Sequence, residues 1–349
     1  MKKSSIINLI RCHAEKDENG FRNQAASIAK DFYNEGDREL GEYILSLISD
    51  ADTFTAQESS NLNSPYFEKL PSATEMFLLP DSVMNDLLGI ANAIEKNIGV
   101  NKFLFSGAPG TGKTEAVKQL GRITNRSVLL CDFSRLVDSR LGQTVKNIAL
   151  LFSEINQNPF RSKVIFLFDE IDAIALDRIN ENDVREMGRA TTAILKGLDS
   201  LKEDAVVIAT TNLADKLDRA LIRRFDATIS FDRYTHEDLS KIAEKLLASY
   251  LSKYNLAGKD IRIFRKILDQ VESLPAPGIL KNMIRTAVAF SDSADEYDYL
   301  RRLYFVFCKK SPSELQELKN ERFTVREIAI LTSKSKSAVD RELKGDRRK

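Results

Sequence analysis

An α/β fold built on a parallel sheet is what this sequence predicts, and three observations carry the prediction. Short apolar runs recur at residues 103–105, 128–131, 164–168, 206–210 and 227–231, with helical patterns between most of them. Strands that alternate with helices in this way form a parallel sheet. Residues 107–114 read Gly-Ala-Pro-Gly-Thr-Gly-Lys-Thr, between the apolar run Phe103-Leu104-Phe105 and the helical stretch that begins at Glu115. Strand, glycine loop and helix in that order complete the phosphate-loop pattern G-x-x-x-x-G-K-[ST]. Finally, the buried-type run Val164–Phe168 closes on two acids, Asp169 and Glu170.

The remaining elements follow in chain order. Residues 1–50 carry three helical stripes, which include Ile6 and Ile10, then Phe21, Ile28 and Phe32, then Leu40, Ile44 and Leu47. A helical unit of that size buries little alone and is expected to dock on its own chain or on a partner. Residues 51–75 are expected to be a linker, since 51–66 are rich in Ser, Thr, Asn and Gln, with Pro65 near the end. An amphipathic segment at 76–98 leads into a nucleotide domain expected over 76–235. The pattern turns helical over 236–310, as in a small lid domain, and a last segment, 311–349, carries a helical pair and a charged tail.

Composition excludes several classes. A formal net charge of +1 makes the whole molecule no polyanion binder. Three dispersed cysteines, Cys12, Cys131 and Cys308, offer no metal spacing and suit a reducing cytosol, and His13 and His236 are too few for a histidine-based metal site. No apolar run approaches the ~18 residues that span a bilayer, and the Met-Lys-Lys start is not followed by a signal-peptide core. The expectation is a soluble, cytoplasmic chain with no membrane partner.

The chemistry of the motifs is specific. Gly107, Gly110 and Gly112 free the backbone to turn its N–H groups inward, and the following helix adds its positive end, so the loop suits a nucleoside triphosphate. Lys113 is placed to reach the β- and γ-phosphates and the Thr114 hydroxyl to bind Mg²⁺. At the acidic strand end, Asp169 is assigned to the metal and Glu170 to the attacking water. Asn212, at the end of the run Ala205–Thr210, is assigned to the lytic water or the γ-phosphate; a polar strand cap is the alternative. Arg223 and Arg224 have the fixed charge and fork that suit a phosphate in the transition state, although on charge alone they read as a solvated helix end.

Together these motifs resemble the AAA+ ATPases, most closely their AAA subgroup, in order over about residues 76–290. Asp169 to Arg178 resembles the family's acidic strand end, Ala209-Thr210-Thr211-Asn212 its sensor 1 strand, Leu217 to Asp226 its second region of homology, and Pro277 to Asn282 its sensor 2 turn. The resemblance implies a doubly wound P-loop NTPase domain with a C-terminal helical lid, ATP and Mg²⁺ as cofactors, and a homo-oligomeric ring, commonly a hexamer. It also implies that Arg223 and Arg224 act as fingers on the next subunit's nucleotide. The implied nucleotide-binding set is Gly107, Ala108, Pro109, Gly110, Thr111, Gly112, Lys113, Thr114 and Glu115, with Lys281 in the sensor 2 position. The chain departs from the family in three places. Its two arginines are adjacent, where many relatives separate them. Lys281 stands where some clades carry Arg. The segment aligned with the first pore loop reads Arg140-Leu141-Gly142, where protein-threading relatives carry an aromatic.

The two ends add narrower readings. Leu9-Ile10-Arg11-Cys12-His13, followed by acids, Phe21 and an Ala-rich helix, resembles bacterial AAA ATPases encoded beside subtilisin-like serine proteases in modules that look like defence or plasmid-interference systems. That resemblance implies a subtilisin-like serine protease as partner. The chain has no Gly-x-Ser-x-Gly elbow of its own. Residues 323–343 resemble a helix-turn-helix: Thr324 and Ser335 suit the caps, and Lys334, Lys336, Ser337 and Arg341 suit phosphates or base edges. Ser333 stands where Gly is usual and Lys334 where an apolar residue is usual. The alternative for this segment is a helical hairpin packed on the lid. Two functions therefore stand at this stage: an ATPase that remodels or regulates a protein partner, and a DNA-binding ATPase that works through residues 322–349.

Overall fold

A computed structural model describes residues 3–15, 17–35, 37–49, 64–71, 79–136, 142–173, 181–254, 260–292 and 294–345. Arg140 and Leu141 of the expected pore loop, and Ile174 to Arg178, lie outside the described residues. The chain divides into two compact units, Met1–Ala108 with Gly112–Arg233, and Pro109–Thr111 with Tyr234–Lys349.

The first unit opens with three helices, α1 (Lys3–Ala14), α2 (Glu18–Asn34) and α3 (Arg38–Ser49). Its centre is a six-stranded sheet of β1 (Glu68–Lys69), β2 (Lys102–Ser106), β3 (Ser127–Asp132), β4 (Val164–Asp169), β5 (Val206–Thr211) and β6 (Ala227–Ser230), in the spatial order β1-β3-β4-β5-β2-β6. The five longer strands are mutually parallel, and β1 pairs antiparallel with β3. This edge strand lies within the expected linker at 51–75, of which only residues 64–71 are described. Two exposed residues carry no periodicity to read, and the segment is fixed instead by the Ser64 hydroxyl, which accepts the N–H groups of Tyr66 and Phe67, and by Phe67 against Phe166 (ring centroids 5.3 Å apart).

Helices α4 (Asp81–Lys96), α5 (Lys113–Ile123), α6 (Gln143–Gln157), α7 (Glu181–Asp199) and the single turn α8 (Arg219–Ile222) complete the unit. Side chains alternate along each strand. Phe103, Phe105, Ile165, Leu167, Val206 and Ile208 therefore pack on the α4 and α5 side, and Leu104, Phe166, Phe168, Val207 and Ala209 on the α6 and α7 side. A sheet covered on both faces must be apolar at nearly every position, which is why β2, β4 and β5 read as unbroken hydrophobic runs.

The N-terminal helices dock on this same unit. Ala26, Ala29, Tyr33 and Leu45 join the core around α4 and α5. Lys30 pairs with Glu95 at 2.6 Å, and Arg38 pairs with Asp81. Glu42 is buried against α5, where its carboxylate accepts from Gln119 Nε2 at 2.6 Å and faces Arg122 Nη1 at 3.4 Å.

The second unit is helical: α9 (His236–Lys253), α10 (Ile261–Leu268), α11 (Pro277–Ala289), α12 (Asp298–Cys308), α13 (Leu315–Asn320), α14 (Val325–Thr332) and α15 (Lys336–Gly345). A Thr235–Asp238 capping box starts α9, and Pro277 opens α11, where a missing N–H costs nothing. The C-terminal segment holds α14 and α15 over the span of the expected pair, preceded by a further short helix, α13. Its buried Leu318, Phe323, Ile328 and Leu331 share one core with Leu303 and Tyr304 of α12. Among the described residues no helix is long and apolar enough to cross a membrane.

Candidate nucleotide site

The parallel register brings the carboxyl ends of the strands to one edge of the sheet. Ser106 of β2 stands opposite both Thr211 of β5 and Ser230 of β6, and Asp132 of β3 stands opposite Asp169 of β4. Open α/β sheets bind ligands outside this edge. Here the loop after β2, the acids that close β4 and the residues after β5 and β6 converge.

Gly107 leaves β2 with φ of 149°, a conformation that only glycine adopts easily, and a Cβ there would stand 3.0 Å from the Phe231 Cβ. The Gly107 N–H donates to Thr211 O at 3.3 Å, and the Ala108 N–H donates to Asp232 Oδ1 at 2.8 Å. Gly112, at φ of 94°, is the N-cap of α5, so the first-turn N–H groups of that helix end at the loop. The tip, Pro109–Thr111, belongs to the second unit: Gly110 O accepts the Gly278 N–H at 2.8 Å, and the Tyr234 hydroxyl donates to Thr111 O at 2.6 Å.

Lys113 is buried in the crook of the loop. Its ammonium donates to Gly107 O at 2.6 Å, to Ala108 O at 3.0 Å and to Asn212 Oδ1 at 2.8 Å. Burial pulls its pKa below the ordinary lysine value, and the negative charges of Asp232, Asp169, Asp172 and Glu170 act in the opposite direction. Four carboxylates thus act on this one ammonium, and a divalent cation would supply further positive charge beside them. Asp172 adds a buried carboxylate whose Oδ1 has no hydrogen-bond partner among the described residues. Among the described residues no group of three or more His, Cys, Asp or Glu side chains could hold a metal by itself. Mg²⁺ takes one or two carboxylates and completes its shell with phosphate oxygens and water. The oxygen donors present, Thr114 and Asp169, fit that ion.

The acidic pair is held from the next strand. The buried Thr210 hydroxyl donates to Asp169 Oδ1 and accepts the Glu170 N–H at 3.1 Å. Glu170 itself takes the left-handed conformation, at φ of 53°. Thr210 and Asp232 are functional candidates that motif reading missed, because each acts on a residue forty or more positions away.

The other expected residues are more dispersed. Glu115 pairs with Lys118 on α5 at 2.8 Å. Arg224 donates through Nε to Asp199 Oδ1, at the end of α7, at 2.9 Å. Arg223 caps α8, is exposed, and forms no ion pair among the described residues. Lys281 lies on α11 of the second unit with an exposed side chain.

Residues 103–233 match the family model described as ATPase family associated with various cellular activities (AAA). An AAA family ATPase domain occupies these residues. Its span runs from β2 past β6 and contains the loop, the acidic pair, Asn212, both arginines and Asp232. Curated proteins also match parts of the chain. An uncharacterised AAA family ATPase of Sinorhizobium fredii is 34% identical over 133 residues, 38% of this chain and 39% of the relative. A proteasome-activating nucleotidase of Methanococcus maripaludis is 32% identical over 174 residues, 48% of this chain and 41% of the relative. A 26S proteasome regulatory subunit 4 homologue of Saccharomyces cerevisiae is 36% identical over 160 residues, 44% of this chain and 35% of the relative. The matched segments thus span about two-fifths of these relatives.

Proposed function

We propose that this protein is a Mg²⁺-dependent ATPase that works on a protein partner as a homo-oligomeric ring, hexameric by the family's habit. The observation that carries the reading is Lys113, held on the loop carbonyls and Asn212 at the edge where the acids of β4 end. Its ammonium exchanges those neutral acceptors for phosphate oxygens when a nucleotide enters, and charge-assisted bonds are the stronger ones. Mg²⁺, held by Thr114 and Asp169, would neutralise phosphate charge. Glu170 accepts the proton of the attacking water and Asn212 orients that water. Arg223 is the finger that reaches a neighbouring subunit's phosphate, because Arg224 is engaged by Asp199 in its own chain.

Two relatives are named for the proteasome, and that supports a protein rather than a small molecule as the object of the work. The N-terminal resemblance favours a subtilisin-like serine protease as the partner, in a cytoplasmic defence module. The test is Glu170→Gln. The variant should bind ATP with unchanged affinity, hydrolyse it at least about a hundredfold more slowly, and retain the partner in a pull-down with ATP. Wild-type turnover in this variant would refute the assignment of Glu170.

A further inference from the structure

The three C-terminal helices have no part in the ATPase reading. Thr324 and Glu327 cap each other reciprocally at the start of α14: the Thr324 N–H donates to Glu327 Oε2 at 2.7 Å and the Glu327 N–H to Thr324 Oγ1 at 3.3 Å. Helix α14 ends at Ser333, which takes φ of 53° so that the Lys334 N–H can reach Ala329 O at 3.2 Å. Ser335 then caps the next helix by accepting the Ala338 N–H at 3.2 Å. Two helices joined by the three residues Ser333–Ser335 make a helix-turn-helix connection.

The two helices play different parts. Helix α14 is fastened to the lid, through Glu327 on Lys266 at 2.6 Å and through Arg301 Nη1 on Ile330 O at 3.0 Å. Helix α15 buries only Val339 and Leu343, which pack into the same core. Its other face presents Lys336, Ser337, Arg341 and Lys344, all exposed and within about 140° of one another at 100° per residue, with the half-exposed Asp340 on the same arc. Lys344 is paired with Asp340 and Lys334 with Glu342, whereas Lys336 and Arg341 form no ion pair among the described residues. Residues 322–349 contain nine basic and four acidic side chains, although the whole chain carries only +1, so a positive terminus is attached to a net acidic body.

We propose that α15 is a recognition helix for duplex DNA. A helix with its side chains is about 10–12 Å across and the major groove about 12 Å wide. A basic outward face on the second helix of such a pair meets phosphates on both groove walls. Lys336 and Arg341 serve as the phosphate contacts, and Ser337 lies between them at the groove floor.

The test uses the full-length protein and a fluorescent duplex of about 30 base pairs, read by anisotropy from about 50 to 300 mM salt without nucleotide. Wild-type affinity should fall steeply with salt. The double variant Lys336→Ala, Arg341→Ala should bind at least about tenfold more weakly at about 100 mM salt, and should lower the slope of log K against log salt by about 2. Lys253→Ala, exposed at the end of α9, should change neither, and the ATPase rate of the double variant should equal wild type. Absent binding at about 50 mM salt, a double variant equal to wild type, or an RNA duplex bound as tightly as DNA would each overturn the proposal. None of these outcomes bears on the ATPase reading, which is measured separately.

Discussion

The hydroxyl of Thr210, on β5, accepts a hydrogen bond from the backbone N–H of Glu170 at 3.1 Å and donates one to the Asp169 carboxylate. One side chain thus orients the acid assigned to the metal and the acid assigned to the water. It also holds Glu170 at a positive φ, which costs a residue other than glycine about 1–2 kcal/mol. Replacing Thr210 by Val keeps the shape and removes both bonds. We expect Thr210→Val to lower kcat by about 10–100-fold, the usual cost of losing a partner that orients a metal ligand, with ATP affinity little changed. Thr210→Ser should recover most of the rate. Steady-state hydrolysis with a fluorescent-nucleotide titration decides the matter, and a wild-type kcat for Thr210→Val would show that the contact is idle.

Arg223 and Arg224 are neighbours with different surroundings, and their variants should separate. The Arg224–Asp199 pair is partly exposed, so Arg224→Ala should cost no more than about 1 kcal/mol of stability. Arg223→Ala should keep ATP binding and lose about a thousandfold in kcat, as removal of an arginine finger does. Mixing provides the decisive measurement. Subunits with Arg223→Ala and subunits with Lys113→Ala are each inactive, yet a mixed assembly contains sites with an intact Lys113 and a neighbour's Arg223. Recovery of hydrolysis on mixing places Arg223 in trans, and no recovery at any ratio rules that out.

Much of this was legible in the sequence, for identifiable reasons. Strands buried on both faces announce themselves as apolar runs, so β2, β4 and β5 were visible, and the phosphate loop is contiguous, so its whole chemistry stood in eight residues. What stayed hidden acts across the chain. Asp232 holds the Ala108 N–H from 124 positions away, and Asp199 distinguishes Arg224 from Arg223 although nothing local ranks them. The strand Glu68–Lys69 leaves no signal in the sequence because a two-residue edge strand takes its conformation from the hydrogen bonds of β3. Helix α13, six residues long, has only Leu318 buried and so leaves no periodic stripe to read.

The docking of the N-terminal helices should depend on Glu42. Its carboxylate is buried with the Tyr33 hydroxyl and Gln119, opposite an equally buried Arg122 on the helix that follows the phosphate loop. Glu42→Ala would leave the Arg122 guanidinium without its counter-charge, so we expect a loss of about 3–5 kcal/mol in chemical denaturation. The double variant Glu42→Leu, Arg122→Met exchanges the pair for apolar volume and should be markedly more stable than Glu42→Ala. If the double variant were no better, the lost packing of α3, and not the stranded charge, would explain the cost.

The core packing of α6 against α7 is tight enough to forbid a methyl group. A Cβ on Gly197 would stand 2.1 Å from Phe152 Cδ2, and Phe152 is itself buried. Helix propensity alone favours Gly197→Ala by about 1 kcal/mol, whereas overpacking a filled core typically costs about 1–3 kcal/mol. The ring clash should win, and Gly197→Ala should lower the denaturation midpoint. A raised midpoint would mean that Phe152 has room to move aside.

Glu327 gives the second unit a defined response to acid. Burial alone would raise its pKa, but the hydrogen bonds from Lys266 and Thr324 outweigh it and hold the group below the ordinary glutamate value. A folded pKa below the unfolded one means that the unfolded chain takes up the proton first as pH falls. The stabilisation is therefore complete above the unfolded pKa, near 4.3, and is lost as pH drops through the folded value. Wild type and Glu327→Gln should differ by a constant amount, about 1–2 kcal/mol, from neutral pH down to about pH 5. Their stabilities should then converge below about pH 4. Denaturation of the full-length protein across this range measures the difference, in which carboxylates common to both proteins cancel. Curves that stay parallel down to about pH 3 would mean that the Lys266–Glu327 contact contributes nothing that depends on the carboxylate's charge.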